Sequence, residues 1–355
     1  MESKLEFDFK TNQQILKKVA FIDSFKGKWT GLGEKESVYL KELKQIATIE
    51  SIGSSTRIEG ATLSDDEVKK LLDSVKITSF KTRDEQEVYG YYEVLSLILD
   101  SYDSIEVRES HIHHLHKKLL EASSKDISHR GGYKKLPNKV VANYPGGRQK
   151  IIFNTTEPFL VKGEMDQLIS WTNESFRNEE LHPLIVTGTF IYEFLSIHPY
   201  QDGNGRLSRL LTTMLLLKNG YDFMQYASME MEIEKQKKAY YNALMNGQKD
   251  RGTTGEKIDS WILYFLTSLE GTIRKLEDRY SEIKKRKSYL NERQKKLCEY
   301  IESNQPVKIG DIVSALVEYT PYILKKDVKY LRDENLIEKI GNGRATIYVL
   351  KENKK

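Results

Sequence analysis

The residues best suited to chemistry lie in one run, His198-Pro199-Tyr200-Gln201-Asp202-Gly203-Asn204-Gly205-Arg206-Leu207-Ser208-Arg209. Helical patterning flanks it at 184–197 and 207–218, so the loop feeds a helix N-terminus. Gly203, Asn204 and Gly205 let backbone N–H groups turn outward. The helix dipole adds partial positive charge at the same point, which suits phosphate. Arg206 and Arg209 are three apart, share a helix face, and can each fork onto phosphate oxygens. Asp202 is a hard oxygen ligand, suited to a Mg²⁺ that carries nucleotide phosphates. His198 is the only nearby group able to act as a base near neutral pH. A solvated helix-loop-helix would account for a bare Gly-Asn-Gly. It does not account for the acid, the imidazole and the two arginines beside it.

The rest of the chain must position that run. Its 355 residues suggest two or three domains and can bury a substantial core without disulfide or metal staples. The apolar share of 39% excludes a disordered chain, and 7 Pro with 22 Gly exclude a collagen-like one. The net charge of +4 permits acidic or nucleic-acid partners without requiring them. The single cysteine, Cys298, allows no internal disulfide and fits a reducing compartment. No apolar signal core and no membrane-length apolar window are found, so a cytoplasmic protein without membrane contact is expected.

Residues 1–50 read as polar and mixed, with helical character from about 35 to 52, followed by a tight run at 53–60. Ser64 and Glu67 read as a capping box. Helices are expected over 85–99 and 109–120. Val140-Val141 and Ile151-Ile152-Phe153, around Tyr144-Pro145-Gly146-Gly147, predict a β-hairpin. Helices follow from about 160, and Gly220 closes the helix after the catalytic run. Trp261, Ile262, Phe265 and Leu269 share one face of a later helix. The last 65 residues read as helix, helix 310–318, a helix opened by Thr320-Pro321, and a hairpin, the order of a winged helix-turn-helix. Residues 281–355 carry a net charge of +6, and the remainder a net of −2.

The run at 198–209 resembles the signature of the Fic family: His-Pro-Phe, any residue, Asp/Glu-Gly-Asn-Gly-Arg, two residues, Arg. Tyr200 replaces the usual Phe, and its hydroxyl needs a partner. The resemblance extends upstream through Leu181-His182-Pro183 and downstream to Tyr240-Tyr241-Asn242-Ala243-Leu244, covering about 85–275. It implies a mainly α fold, a Fic-type helical bundle with a β-hairpin flap at 136–153, plus the C-terminal winged helix-turn-helix domain. It divides the chain into an N-terminal helical region (1–84), a Fic catalytic core (85–275), a helical linker (276–290) and a winged helix domain (291–355).

The resemblance also implies protein adenylyltransferase activity, moving AMP from ATP to a Ser, Thr or Tyr hydroxyl of a target protein or of the chain itself. His198 would take the acceptor proton and Asp202 would hold Mg²⁺. Gly203, Asn204, Gly205 and Arg206 would hold the α- and β-phosphates and Arg209 the γ-phosphate. Tyr240 and Tyr241 would lie near the base. UMP or GMP transfer would use the same anchors. Dimers are frequent among relatives.

Ser55-Thr56-Arg57-Ile58-Glu59-Gly60 resembles the family's inhibitory motif, Ser/Thr, three residues, Glu, Gly/Asn. Carried over, Glu59 pairs with Arg209, with Ser55 as the motif's first residue. An arginine committed to a carboxylate cannot also orient a γ-phosphate, and the carboxylate repels that phosphate. In some relatives the same glutamate positions a water that removes AMP, so both directions stay open.

His111, His113, His114 and His116 scatter around a helix with no acid or cysteine completing a metal set, and read as ordinary helix residues. Gly31-Leu32-Gly33-Glu34-Lys35 lacks the spacing and preceding strand of a phosphate loop. Cys298 reads as core. The helix from 321 carries Lys325, Lys326, Lys329 and Arg332 but also Asp327, Asp333 and Glu334, so DNA and protein docking both remain readings of it. The alternative function is a nucleotide-sensing, DNA-binding regulator. An intact His198 favours the enzyme, since a sensor needs no base.

Overall fold

The computed structural model describes residues 2–30, 37–73, 80, 82–143, 149–288, 290–334, 336–341 and 343–351. The segment Gly31–Lys35 and the hairpin turn at 144–147 lie outside the described residues, as does Asn342 of the last hairpin. The chain is mainly α-helical and divides into two compact units, Met1–Glu277 and Asp278–Lys355.

In the first unit, α1 (Phe9–Thr30), α2 (Ser37–Glu59), α3 (Asp65–Asp73), α4 (Arg83–Ser101) and α5 (Glu109–Leu119) precede a hairpin of β1 (Lys139–Asn143) and β2 (Gln149–Asn154). Then come α6 (Pro158–Asn178), α7 (Pro183–Ile197), α8 (Asn204–Lys218), α9 (Met229–Lys235), α10 (Lys237–Gly247) and α11 (Asp259–Ser288), which leads into the second unit. Every residue of α7 from Leu184 to Ile197 is buried, as is nearly all of α8. Helices apolar on every side belong at the centre of a bundle. The two pack together, with α6 against α7 and with α2, α4 and α5 against α8. The first half of the 198–209 run is the short connection between these two central helices and its second half opens α8, so both of its ends are rigidly held.

Local chemistry explains the boundaries. Thr82 and Glu85 form the capping box of α4, and Ser64 and Glu67 exchange the same contacts before α3. Gly220, at φ 77°, ends α8. β1 and β2 are antiparallel with a bulge between Val140 and Val141.

Three expectations need correction. Residues 1–50 are not loosely patterned: α1 buries Ile15, Ile22, Phe25 and Trp29 at helical spacing, with Phe25 edge-on to Phe223 at 5.1 Å. Residues 53–60 are not a tight run outside a helix, because α2 continues through Glu59. Ser54, Ser55 and Thr56 are all buried there, and Thr56 returns its hydroxyl to the Ile52 carbonyl at 3.0 Å, satisfying it within the helix. The signature helix begins at Asn204 rather than Leu207, since Gly203 at φ 80° already serves as its N-cap.

The second unit contains α12 (Glu292–Asn304), α13 (Ile309–Ala315), α14 (Pro321–Asp333) and an antiparallel pair, β3 (Ile337–Ile340) and β4 (Ile347–Leu350). Val307 bridges to Tyr348 beside that pair. The second helical stretch of this unit, expected at 310–318, closes earlier, at Ala315, with Leu316 as its cap. Leu297, Cys298, Ile301, Ile312, Leu324, Val328, Leu331 and Ile337 share the unit's own core.

Candidate active site

His198 ends α7 in the left-handed conformation, φ 53°, which turns its ring out of the helix. Its Nδ1–H donates to the Leu195 carbonyl at 3.3 Å, leaving the Nε2 lone pair available. Burial, followed by the nearby Lys134 ammonium, pushes its pKa down to about 4. At neutral pH the imidazole is therefore an uncharged base.

Asn204 closes the loop. Its Oδ1 accepts from the Tyr200 N–H at 2.9 Å and its Nδ2 donates to the Tyr200 carbonyl at 2.7 Å. Both side-chain amide atoms are thus engaged within the loop, and its backbone N–H is what the helix start presents. Arg206 is buried and leaves Nε and Nη1 without hydrogen-bond partners, Nη1 lying 3.6 Å from Glu87 Oε2 in an ion pair, while Nη2 donates to Asp202 at 3.3 Å. Unused guanidinium N–H groups beside a helix N-terminus are what an incoming phosphate would satisfy.

Asp202 accepts from the Gly203 N–H at 2.6 Å and from Arg83 at 3.1 Å. Burial raises its carboxyl pKa, but Arg206, the Gly203 amide and Arg83 more than reverse this, so it stays ionised. The described residues hold no cluster of three or more ligating side chains. A single ionised carboxylate still suits Mg²⁺, which binds through one or two carboxylates plus substrate phosphates.

Arg209 is buried and engaged through Nε and Nη2 with the end of α2. Its Nε donates to Ser55 Oγ at 2.7 Å, and its Nη2 donates to the Ser55 carbonyl at 3.1 Å and to Glu59 Oε1 at 2.7 Å. Burial raises the Glu59 pKa, and the attraction of Arg209 and Arg206 overrides that to hold it below the usual value. A Cβ built on Gly205 would collide with Glu59 Oε1, so the carboxylate lies directly on the first turn of α8. Glu59 thus occupies the anion position that the helix start creates. Tyr240 and Tyr241 are buried on α10, their rings 5.1 Å apart, with Tyr240 close enough to Arg209 and Glu59 to feel their charges.

Several contributors left no local signal. His116 is fully buried and stacks on Tyr200 at 3.7 Å. Its Nδ1 accepts from the Gly131 N–H at 2.8 Å, and its Nε2–H donates to the Asp202 carbonyl at 2.9 Å. Burial lowers its pKa to about 4, keeping the neutral tautomer those bonds need. The Tyr200 hydroxyl finds its partner in His113 Nδ1 at 2.8 Å. Two histidines of α5, His113 and His116, therefore hold the 198–203 loop. Arg57 forks onto Glu234, and Lys237 donates to the Ile58 carbonyl at 2.7 Å, which fastens the end of α2 against α9 and α10.

Lys134 brackets the base. Its backbone N–H donates to the Pro199 carbonyl at 2.8 Å, and its Nζ donates to the Ile197 carbonyl at 3.0 Å. The same Nζ donates to Asn138 Oδ1 at 2.8 Å and to Thr155 Oγ1 at 2.7 Å, which sit together at the open base of the hairpin. Burial lowers its own pKa to about 8, so it is largely cationic at neutral pH. Lys134→Met should let the His198 pKa rise toward its ordinary value. The acid limb of kcat/KM for nucleotide-dependent labelling is then expected to move up by about one pH unit. A lower rate with an unmoved limb would reduce Lys134 to a structural tether.

Residues 106–216 match the family model described as the Fic/DOC family. The chain is 27% identical over 207 residues to "Protein adenylyltransferase Fic" of Drosophila willistoni, covering 58% of this chain and 39% of that protein. It is 28% identical over 184 residues to the protein of the same name from Drosophila grimshawi, covering 51% and 35%. The chain thus spans less than two fifths of the length of these curated relatives. Among solved structures, a Fic family protein from Desulfovibrio desulfuricans aligns at TM-score 0.65 and 20% identity, over 96% of this chain and 97% of that one. Fic-1 from C. elegans aligns at TM-score 0.58 and 19% identity, over 76% and 73%. These two structures share the fold. No helix among the described residues is long and apolar enough to cross a membrane.

Proposed function

We propose that this chain, whose residues 106–216 match the Fic/DOC family model, is a protein adenylyltransferase restrained by its own α2. The observation that carries this reading is the junction of α7 and α8. It places a neutral imidazole beside a helix N-terminus with a buried, under-used arginine. ATP would bind with its phosphates along the N–H groups of Gly203, Asn204 and Gly205 and the Arg206 guanidinium, whose Nε and Nη1 lack hydrogen-bond partners. The γ-phosphate would take the position of the Glu59 carboxylate and engage Arg209. Tyr240 and Tyr241 would wall the base side. Asp202 would hold Mg²⁺, which when bound neutralises phosphate charge.

The acceptor is a Ser, Thr or Tyr hydroxyl, presented by a target segment lying along the β1–β2 hairpin. His198 Nε2 removes its proton as its oxygen attacks the α-phosphorus. The new O–P bond forms while the bond to the β-phosphate oxygen breaks, releasing pyrophosphate. Such catalysis rests on positioning and on donors fixed before the charge develops. Glu59 is the restraint, since its carboxylate excludes the γ-phosphate and commits Arg209.

The experiment compares ATP labelled at the α- and γ-phosphates, using Glu59→Gly protein with Mg²⁺. Covalent label is expected on protein from the α-labelled nucleotide only. Label from the γ-position would mean phosphoryl transfer and overturn the adenylyl reading.

A further inference from the structure

We propose that the second unit binds double-stranded DNA through the exposed face of α14. The sequence leaves this helix ambiguous because acids interleave with its cations. The structure removes the central one. Asp327 is 3% exposed and turned toward α12, where Arg293 donates to both its oxygens and Gln294 adds a bond at 3.1 Å. Its charge is spent inside the unit. The outward face then reads Tyr322, Lys325, Lys326, Lys329 and Arg332, all exposed, at spacings of three and four that align them along one side. Lys325, Lys326 and Lys329 have no ion-pair partner among the described residues, and only Arg332 is paired, with Asp333. Lys325, Lys329 and Arg332 line a concavity of about 190 Å³ with Ile309, Val328 and Tyr348, and no acid lines it.

Charge complementarity selects the occupant. Residues 278–355 carry a net charge of +6, whereas residues 1–277 carry −2. A helix with unpaired lysines on one face fits the major groove, which admits one α-helix between two rows of phosphates. Tyr322, 77% exposed at the N-terminal end, stands where recognition helices contact base edges. Lys339 on the exposed strand β3 offers a further phosphate contact. The proposal is independent of the adenylyl-transfer reading.

The test titrates full-length protein into a fluorescent mixed-sequence duplex of 25 base pairs, following anisotropy at several salt concentrations. Binding in the micromolar range is expected, weakening with salt at a slope of about −3 for three to four phosphate contacts. Lys325→Glu with Lys329→Glu should weaken binding at least tenfold and reduce the slope by about two. Lys325→Gln with Lys329→Gln gives the same direction with a smaller loss and guards against misfolding of the charge-reversed protein. Absence of binding at low salt would overturn the proposal, as would affinity unchanged in both double variants. So would equal affinity for polyglutamate, which would mark the face as one for acidic proteins. Glu59→Gly labelling should be the same with and without the α14 substitutions.

Discussion

Replacing Glu59 with glycine is expected to raise ATP-dependent labelling about 10–100-fold. The pair it breaks is a charge-assisted contact worth about 1.5–3 kcal/mol, and each 1.4 kcal/mol is about a tenfold change in equilibrium. Glu59 Oε1 sits 2.7 Å from Arg209 Nη2 and over the Cα of Gly205, so on the proposed reading ATP would have to displace it before its γ-phosphate could enter. Removing the carboxylate also costs the buried Arg209 an anionic partner, while its bonds to Ser55 remain. The variant should therefore melt lower than the parent without nucleotide. It should regain more on adding Mg·ATP, because a ligand that binds only the folded state stabilises it by mass action. Glu59→Gln keeps an acceptor and loses the charge, so its labelling should fall between the two. Quantified incorporation and thermal melts check both halves. Labelling that rises while the ATP-induced shift stays equal to the parent's would mean that Glu59 does not compete with phosphate.

What the sequence displays of this site is what lies close together in it. His198, Asp202, Arg206 and Arg209 are contiguous enough that spacing alone places them at one helix start. Glu59 is 150 residues from Arg209, and only a motif resemblance links them. Lys134 is 63 residues from Ile197, His116 is 86 from Asp202, and Arg57 is 177 from Glu234. Their side chains act through carbonyls and carboxylates that only the fold brings near, so no local pattern marks them. Asn204 illustrates a different limit: its residue type suits phosphate, yet its amide closes the loop on Tyr200. Asp327 illustrates the reverse case. Its charge counts against DNA when helix residues are tallied, and only burial against Arg293 cancels it. The first helix escapes the sequence reading: Ile15, Ile22, Phe25 and Trp29 keep a helical spacing, but the polar residues between them obscure it.

Removing the base should produce the largest loss. In the Glu59→Gly protein, His198→Asn is expected to lower the rate of transfer about 10²–10⁴-fold, the usual range for a positioned general base. Asparagine is preferred to alanine because residue 198 is left-handed, at φ 53°, a conformation that Asn tolerates well. ATP affinity should be retained, since the phosphate donors lie on Gly203, Gly205, Arg206 and Arg209. A pKa of about 4 makes His198 fully available at neutral pH but intrinsically weak. That value belongs to the nucleotide-free protein. The phosphates of bound ATP place negative charge near the ring and favour the imidazolium, raising its pKa and its strength as a base. The acid limb of kcat, which reports the bound complex, should therefore lie at higher pH than that of kcat/KM, which reports the free enzyme. Coincident limbs would mean that nucleotide does not tune the base. A His198→Asn rate close to that of its background would assign proton removal to another group.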